Sequence, residues 1–231
     1  MMLDLRDLVV GYNQKNVLHG VSLAVDKAQI VALVGHNGAG KTTLMRSALG
    51  LTPYTSGSVV FDGQAVEAGQ VAQTVARGLA FVPQGRNTFR SLKVADNLDI
   101  AVNAGGPGAA ARVAEVFAMF PILRERLAQP AGKLSGGQQQ MVALALALVR
   151  GPRLIMLDEP STGLSPVMVD EVFRRVVEMR ERFGISLLIV DQNVRRLLGI
   201  VDRLAVLKAG RMVFDGSPAG IANDDQLWRL F

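Results

Sequence analysis

Two short stretches carry the residue types of phosphate chemistry. GHNGAGKTT occupies residues 35–43 and fits G-x-x-x-x-G-K-[ST]; LIMLDEP occupies residues 154–160. In the first, glycines let successive backbone N–H groups converge on a phosphate, and the start of a helix adds positive potential. Lys41 is placed to reach the β- and γ-phosphates of a nucleoside triphosphate, and the Thr42 hydroxyl to ligate Mg²⁺. The candidate cradle is Gly35, Asn37, Gly38, Ala39, Gly40, Lys41, Thr42 and Thr43. His36 occupies a variable position of the loop and receives no metal or catalytic role. In the second stretch, four apolar residues bury a strand and deliver Asp158 at its end, where it holds Mg²⁺ directly or through water. Glu159 follows. A carboxylate one residue beyond the metal ligand is placed to polarise an attacking water, a general-base role worth about 10²–10⁴ in rate. The plainer alternative, a buried acidic pair that only caps the next turn, is set aside because a complete phosphate loop precedes it.

These residues need rigid elements behind them. Residues 30–34 form a continuous apolar run, the pattern of a strand buried on both faces, and a helix is expected from about 41 to 49. Residues 3–8 and 21–25 alternate in polarity and read as half-exposed antiparallel strands. Short strands are expected at 59–61, 79–82, 154–157 and 186–190, and a hairpin pairs 203–207 with 211–214 across Lys208, Ala209 and Gly210. From Asn97 to about Arg150 the pattern turns helical, broken by a loop at 104–108. Met168, Val172, Val176 and Met179 recur at helical spacing, with Glu171/Arg175 and Glu178/Arg182 as i,i+4 pairs on the solvent side. The chain therefore reads as one α/β domain over residues 1–231. Its core spans about 1–84 and 151–231, with a helical lobe inserted over about 85–150.

Bulk properties narrow the class. The chain has 231 residues, 49% of them apolar, enough for one sizeable core. It has no cysteine, which excludes disulfide frameworks and thiol-based metal or redox sites and suits the cytosol. The longest apolar run, residues 141–149, falls far short of the roughly 20 residues a membrane span needs. The first residues, MMLDLRDL, carry early acids and do not form a signal peptide. The net charge of +5 is dispersed and lacks an aromatic stacking platform, so a basic surface that sits beside an anionic membrane leaflet or contacts nothing is favoured over a nucleic-acid partner. His19 has no motif around it and reads as a surface residue.

Between the two phosphate motifs stands LSGGQQQ, residues 134–140. The three in this order resemble the ATPase subunit of ATP-binding-cassette (ABC) transporters, and the likeness runs from Leu3 to about Gly220. The resemblance implies a P-loop NTPase (RecA-like) core with an antiparallel β subdomain and an inserted α-helical lobe, with ATP and Mg²⁺ as ligands. It implies that Tyr12 stacks on adenine. It implies that Gln84, in FVPQGR, approaches Mg²⁺ beside Thr42 and Asp158 and joins core to lobe. It implies too that Ser135, Gly136 and Gly137 bind the γ-phosphate of ATP held by an opposite subunit, so that a monomer is nearly inactive.

Finer likeness points to the ATPases of branched-chain amino acid importers and their urea and short-amide relatives. VPQGRNTFRSLKVADNL, residues 82–98, resembles their segment after Gln84. Ser165 replaces the usual aspartate, and Gln192, in IVDQNV, replaces the usual switch histidine; both are shared with that branch. Gln192 is accordingly expected to position the γ-phosphate through a neutral hydrogen bond. Leu146 stands where the family usually has arginine, and the sequence offers only a packing change as its reason. The expected function is the ATP-hydrolysing subunit of a branched-chain amino acid importer, peripheral on the cytoplasmic face of the plasma (inner) membrane. The implied partners are membrane permease subunits, a second and different ATPase subunit (a homodimer being the alternative) and an extracytoplasmic solute-binding protein, with no nucleic acid. Phe89 and Arg90 are candidates for the permease-facing surface.

The alternatives are a urea or short-amide importer ATPase, then a lipid or lipopolysaccharide exporter ATPase. A non-transport ABC ATPase is a different class. Its coiled-coil members have no room between Thr43 and Leu134, and its translation factors carry two cassettes. A regulator without turnover is disfavoured by Lys41, Gln84, Asp158 and Glu159 standing together.

Overall fold

The computed structural model describes residues 1–13, 15–85 and 87–221. In chain order the elements are β1 (Leu3–Tyr12), β2 (Lys15–Val25), β3 (Ile30–Val34), α1 (Lys41–Ala48), β4 (Ser56–Phe61), β5 (Gln64–Ala65), α2 (Val71–Ala76) and β6 (Leu79–Val82). Four helices follow, α3 (Val94–Ala104), α4 (Ala109–Met119), α5 (Pro121–Glu125) and α6 (Gly136–Val149). The chain then runs through β7 (Leu154–Asp158), α7 (Pro166–Phe183), β8 (Ser186–Val190), α8 (Val194–Leu198), β9 (Arg203–Lys208) and β10 (Arg211–Gly216).

Two sheets organise these elements. One is antiparallel, in the order β2-β1-β4-β5; the other has the order β10-β9-β3-β8-β7-β6. In the second, β6, β7, β8, β3 and β9 run parallel and β10 closes the edge antiparallel. Strands β3, β7 and β8 are buried at every residue, which is why they read as unbroken apolar runs. Alternation divides their side chains between two cores. Ile30, Ala32, Ile155, Leu157, Leu187 and Ile189 face α3–α7. Val31, Leu33, Leu154, Met156 and Leu188 face α1 and the antiparallel sheet.

This order places functional turns side by side. The carboxyl ends of parallel strands open into a crevice where ligands bind. Here β3 ends at the glycine loop, β7 at Asp158, β8 just before Asp191 and Gln192, and β6 just before Gln84.

Several boundaries differ from expectation. Strands β1 and β2 extend to Tyr12 and back to Lys15, because their hairpin continues beyond the stretches of clean alternation. The helical region starts at Val94 rather than Asn97. Asp96 accepts the Lys93 N–H at 3.1 Å and so stabilises the first turn. Asn97 is fully buried; its Oδ1 accepts the Phe89 N–H at 2.8 Å, and its Nδ2 donates to the carbonyls of Phe89 and Lys93 at 3.1 and 2.9 Å. β5, α2 and α8 are too short to leave a periodic signal. Helix α7 opens with proline at its first position and ends on Gly184 in the left-handed region, φ 63°. Its Glu171–Arg175 and Glu178–Arg182 pairs each close at 2.9 Å. Met168 is only half-buried and lies over Gly137 at the start of α6.

Candidate nucleotide site

The glycine loop is shaped from beneath. At Gly35, φ 151°, a Cβ would collide with the Leu207 carbonyl oxygen of β9; at Gly40, φ 106°, it would meet Leu18 Cδ2 at 2.6 Å. Only glycine fits either place. The turn between β9 and β10 then holds the loop directly, the Gly210 N–H donating to the Ala39 carbonyl at 3.0 Å.

Lys41 folds back over this loop. Its Nζ donates to the Gly35 and His36 carbonyls at 2.7 and 3.0 Å. Burial lowers the pKa of this ammonium from its ordinary value, against the opposing pull of Glu159 and Asp158. Thr42 Oγ1 donates to Asp158 Oδ2 at 3.1 Å. Asp158 is 6% exposed. Burial pushes its pKa up, opposed by the Thr42 hydrogen bond and the charges of Lys41 and Arg46 and reinforced by Glu159.

Glu159 adopts φ 49°, a left-handed conformation that costs a non-glycine residue on the order of 1–3 kcal/mol. Its side chain is held at both oxygens. Gln84 Nε2 and Thr162 Oγ1 donate to Oε2 at 2.7 and 2.9 Å, and Gln192 Nε2 donates to Oε1 at 3.1 Å. Its main-chain N–H donates to the Val190 carbonyl at 2.7 Å.

Asn37, Gly38, Gly40, Lys41, Thr42, Thr43, Gln84, Glu159 and Gln192 line one open cleft of about 560 Å³. Gly35 and Ala39 underlie it, and Asp158 lies at its floor beside Thr42. Val17 and Thr162 also line it, and sequence reasoning missed both. Thr162 follows Glu159 by three residues within DEPST, and that spacing was its only signal. Val17 is brought in by the extra length of β2.

Four expected residues, Tyr12, Ser135, Gly136 and Gly137, do not line this cleft. Tyr12, at the end of β1, is 44% exposed with its hydroxyl 3.4 Å from Thr52 Oγ1, and it does not line the cleft. Ser135 caps α6: its Oγ accepts the Gln138 N–H at 3.3 Å and the Gln138 side chain accepts the Ser135 N–H at 3.1 Å. Ser135 and Gly136 are exposed at that helix start, and Gly137 is buried under Met168. Leu146 lines an apolar groove of about 360 Å³ between α6 and β6, beside Leu79, Val82, Pro83 and Ala143.

The donor set at the floor suits a hard cation. Thr42 and Asp158 offer a hydroxyl and one carboxylate, and Mg²⁺ commonly takes one or two protein oxygens and completes its shell with phosphates and water. Among the described residues no group of three or more acidic, histidine or cysteine side chains could hold a metal by itself.

A family model described as "ABC transporter" matches residues 18–162, more than half of the chain. The chain belongs to the ABC transporter family. Its ATP-binding subunits hydrolyse ATP, and this ABC ATPase is similar along nearly its whole length to several of them. It is 36% identical over 221 residues to the high-affinity branched-chain amino acid transport ATP-binding protein BraG of Pseudomonas aeruginosa, covering 94% of this chain and 93% of that one. It is also 36% identical over 224 residues to a probable branched-chain amino acid transport ATP-binding protein, LivF, of Archaeoglobus fulgidus, covering 96% and 95%. To the lipopolysaccharide export ATP-binding protein LptB of Haemophilus influenzae it is 33% identical over 236 residues, covering 100% and 96%. Among solved structures, the ATP-binding subunit of an ABC transporter superposes with a TM-score of 0.87 at 26% identity, covering 100% of this chain and 99% of that one. Cassettes of this family dimerise and work with membrane permeases. Among the described residues, no helix of this ABC ATPase is long and apolar enough to cross a membrane.

Proposed function

We propose that this ABC ATPase is the ATP-hydrolysing subunit of a branched-chain amino acid importer, peripheral on the cytoplasmic face of the membrane. The observation that carries hydrolysis is the setting of Glu159, held between Gln84, Thr162 and Gln192 on the cleft that Lys41 also lines. Lys41 is placed to reach the β- and γ-phosphates of ATP. Thr42 and Asp158 would hold Mg²⁺, which would supply positive charge to the triphosphate. Glu159 orients a water and takes its proton. Gln192 donates one neutral hydrogen bond and does no acid-base chemistry. Ser135 and Gly136, exposed at the start of α6, offer the Ser135 hydroxyl, the Gly136 N–H and the helix potential to the γ-phosphate of ATP on a second cassette. Tyr12 remains our candidate for adenine.

Branched-chain amino acids are favoured by Ser165 and Gln192, the two departures shared with that importer branch, and by the likeness to BraG and LivF. The partners are then permease subunits, a second and different ATPase subunit and an extracytoplasmic solute-binding protein. Lipopolysaccharide export is the second reading, on the likeness to LptB. Co-purification from native membranes, with identification of the attached subunits, separates the two. Amino acid permeases are expected; lipopolysaccharide export subunits would overturn the importer reading.

A further inference from the structure

Behind the cleft, between the turn after β7 and the turn after β8, lies a polar cluster that the hydrolysis scheme leaves without a task. Asp191 is 2% exposed and Ser161 3%. Asp191 Oδ2 accepts the Ser161 main-chain N–H at 3.0 Å. Its Oδ1 accepts the Ser161 hydroxyl at 2.6 Å and the Asn193 main-chain N–H at 2.9 Å. Asn193 Nδ2 also donates to Ser161 Oγ and to Asp191 Oδ1.

The positions of these residues give the cluster its meaning. Ser161 stands two residues beyond Glu159, and Asp191 and Asn193 flank Gln192. The Glu159 N–H bond to the Val190 carbonyl ties the same two turns on the other side. A left-handed glutamate persists only where its surroundings over-determine it. The contact of Gln192 with Glu159 likewise requires the two turns to stay in register.

We propose that Asp191 is a positioning residue for ATP hydrolysis: through Ser161 it holds Glu159 in its left-handed turn, and through Asn193 it presents Gln192 to the same carboxylate. It does so without touching nucleotide. The inference rests on the reading of Glu159 as the base.

Asp191→Asn is the sharpest probe, because it keeps the shape. Each Asp191 oxygen accepts a main-chain N–H, so the new amide NH₂ faces a donor whichever way it is turned. The full chain is assayed for ATP turnover at saturating MgATP and, separately, for nucleotide affinity and melting temperature. Turnover of Asp191→Asn is expected to fall on the order of 10–100-fold, the loss seen when partners that orient metal ligands are removed. Nucleotide affinity is expected to stay at the wild-type value, because the glycine loop and Lys41 are untouched. Adding Gln192→Ala is expected to cause little further loss, since both changes disable one unit. Ser161→Ala removes the hydroxyl that donates to Asp191 and accepts from Asn193, and keeps both main-chain bonds; at least about a fivefold loss is expected, the size of one neutral hydrogen bond.

Wild-type turnover in Asp191→Asn, beside a slow Glu159→Gln control, overturns the inference alone. So do losses that multiply independently in the double variant, or a joint drop in turnover, nucleotide affinity and melting temperature, which marks a role in folding only. Should Asp191→Asn fail to fold, Ser161→Ala decides: reduced turnover with unchanged affinity supports the inference, and unchanged turnover overturns it. A Glu159→Gln protein with the wild-type rate overturns the base assignment and the inference with it.

Discussion

The side-chain amide of Gln192 donates to Glu159 Oε1 at 3.1 Å, so the residue at the switch position touches the proposed base directly. A histidine there would bring a charge that titrates near pH ~6.5. The amide brings a fixed neutral donor, weaker than a charged one. Gln192→Ala is therefore expected to lower turnover without abolishing it, and Gln192→His to stay active. A pH–rate profile at saturating MgATP checks this. Wild type should show no step from this position between about pH 6 and 7, and Gln192→His should gain one. Unchanged turnover and ATP affinity in Gln192→Ala would make the residue a bystander.

Glu159→Gln keeps shape and removes the base. ATP-dependent dimers are expected to accumulate, with turnover reduced by about 10²–10⁴. Lys41→Ala is expected to lose ATP binding and to stay monomeric with MgATP. Sizing by light scattering, with and without MgATP, distinguishes the two, and a Glu159→Gln protein that hydrolyses at the wild-type rate refutes the assignment.

Phe89 is 53% exposed, and its backbone is clamped from below by Asn97. At that exposure most of the side chain is not packed within the lobe and is available to a permease contact. Replacing Phe89 and Arg90 together is expected to uncouple transport in the assembled complex while the basal ATPase of the isolated chain is retained. Loss of both activities would favour the packing role.

Asn97 itself supplies a stability test. Asn97→Ala strands the Phe89 N–H, while the Phe89 carbonyl keeps the Leu92 N–H at 3.0 Å. It is expected to destabilise by about 1–3 kcal/mol, the cost of leaving a buried polar group unsatisfied. Urea unfolding of both proteins measures it; a difference within error would mean that water replaces the amide.

Helix α7 predicts an acid response. Burial alone would raise the pKa of Glu171, but hydrogen bonds and charge from Arg174 and Arg175 outweigh it and hold the carboxyl below its ordinary value. Glu178 behaves likewise beside Arg182 and Arg175. The unfolded chain therefore binds protons first as pH falls. The stabilisation is complete above the ordinary glutamate value, about pH 4.3, and is lost as pH drops through the lower folded value. Glu171→Gln is expected to flatten this part of the stability curve, measured by melting temperature from about pH 6 to 3. An unchanged slope would show that the pair is screened by solvent.

Where burial is continuous, the fold was legible. The runs ending at Val34 and Asp158 announced strands, and the glycines and acids after them announced the turns that meet at the cleft. What could not be read was sideways neighbourhood. Gln84 reaches Glu159 because β6 pairs with β7, and Gln192 reaches it because β8 flanks β7 on the other side, a strand order that no local pattern encodes. Val17 entered the cleft through a strand whose early residues do not alternate cleanly, and Thr162 through a turn. Leu146 found its account only in the groove between α6 and β6.

The hairpin that supports the glycine loop comes from the far end of the chain. Gly210 and the Leu207 carbonyl press against a loop made long before them. During synthesis the phosphate loop thus emerges well before the hairpin that completes its cradle. A nascent chain ending before this hairpin carries the glycines and the lysine but not the surface that moulds them. ATP can therefore assist folding only once β9 and β10 have been made, and a chain truncated ahead of β9 is expected to fail to hold nucleotide with its entire loop sequence intact.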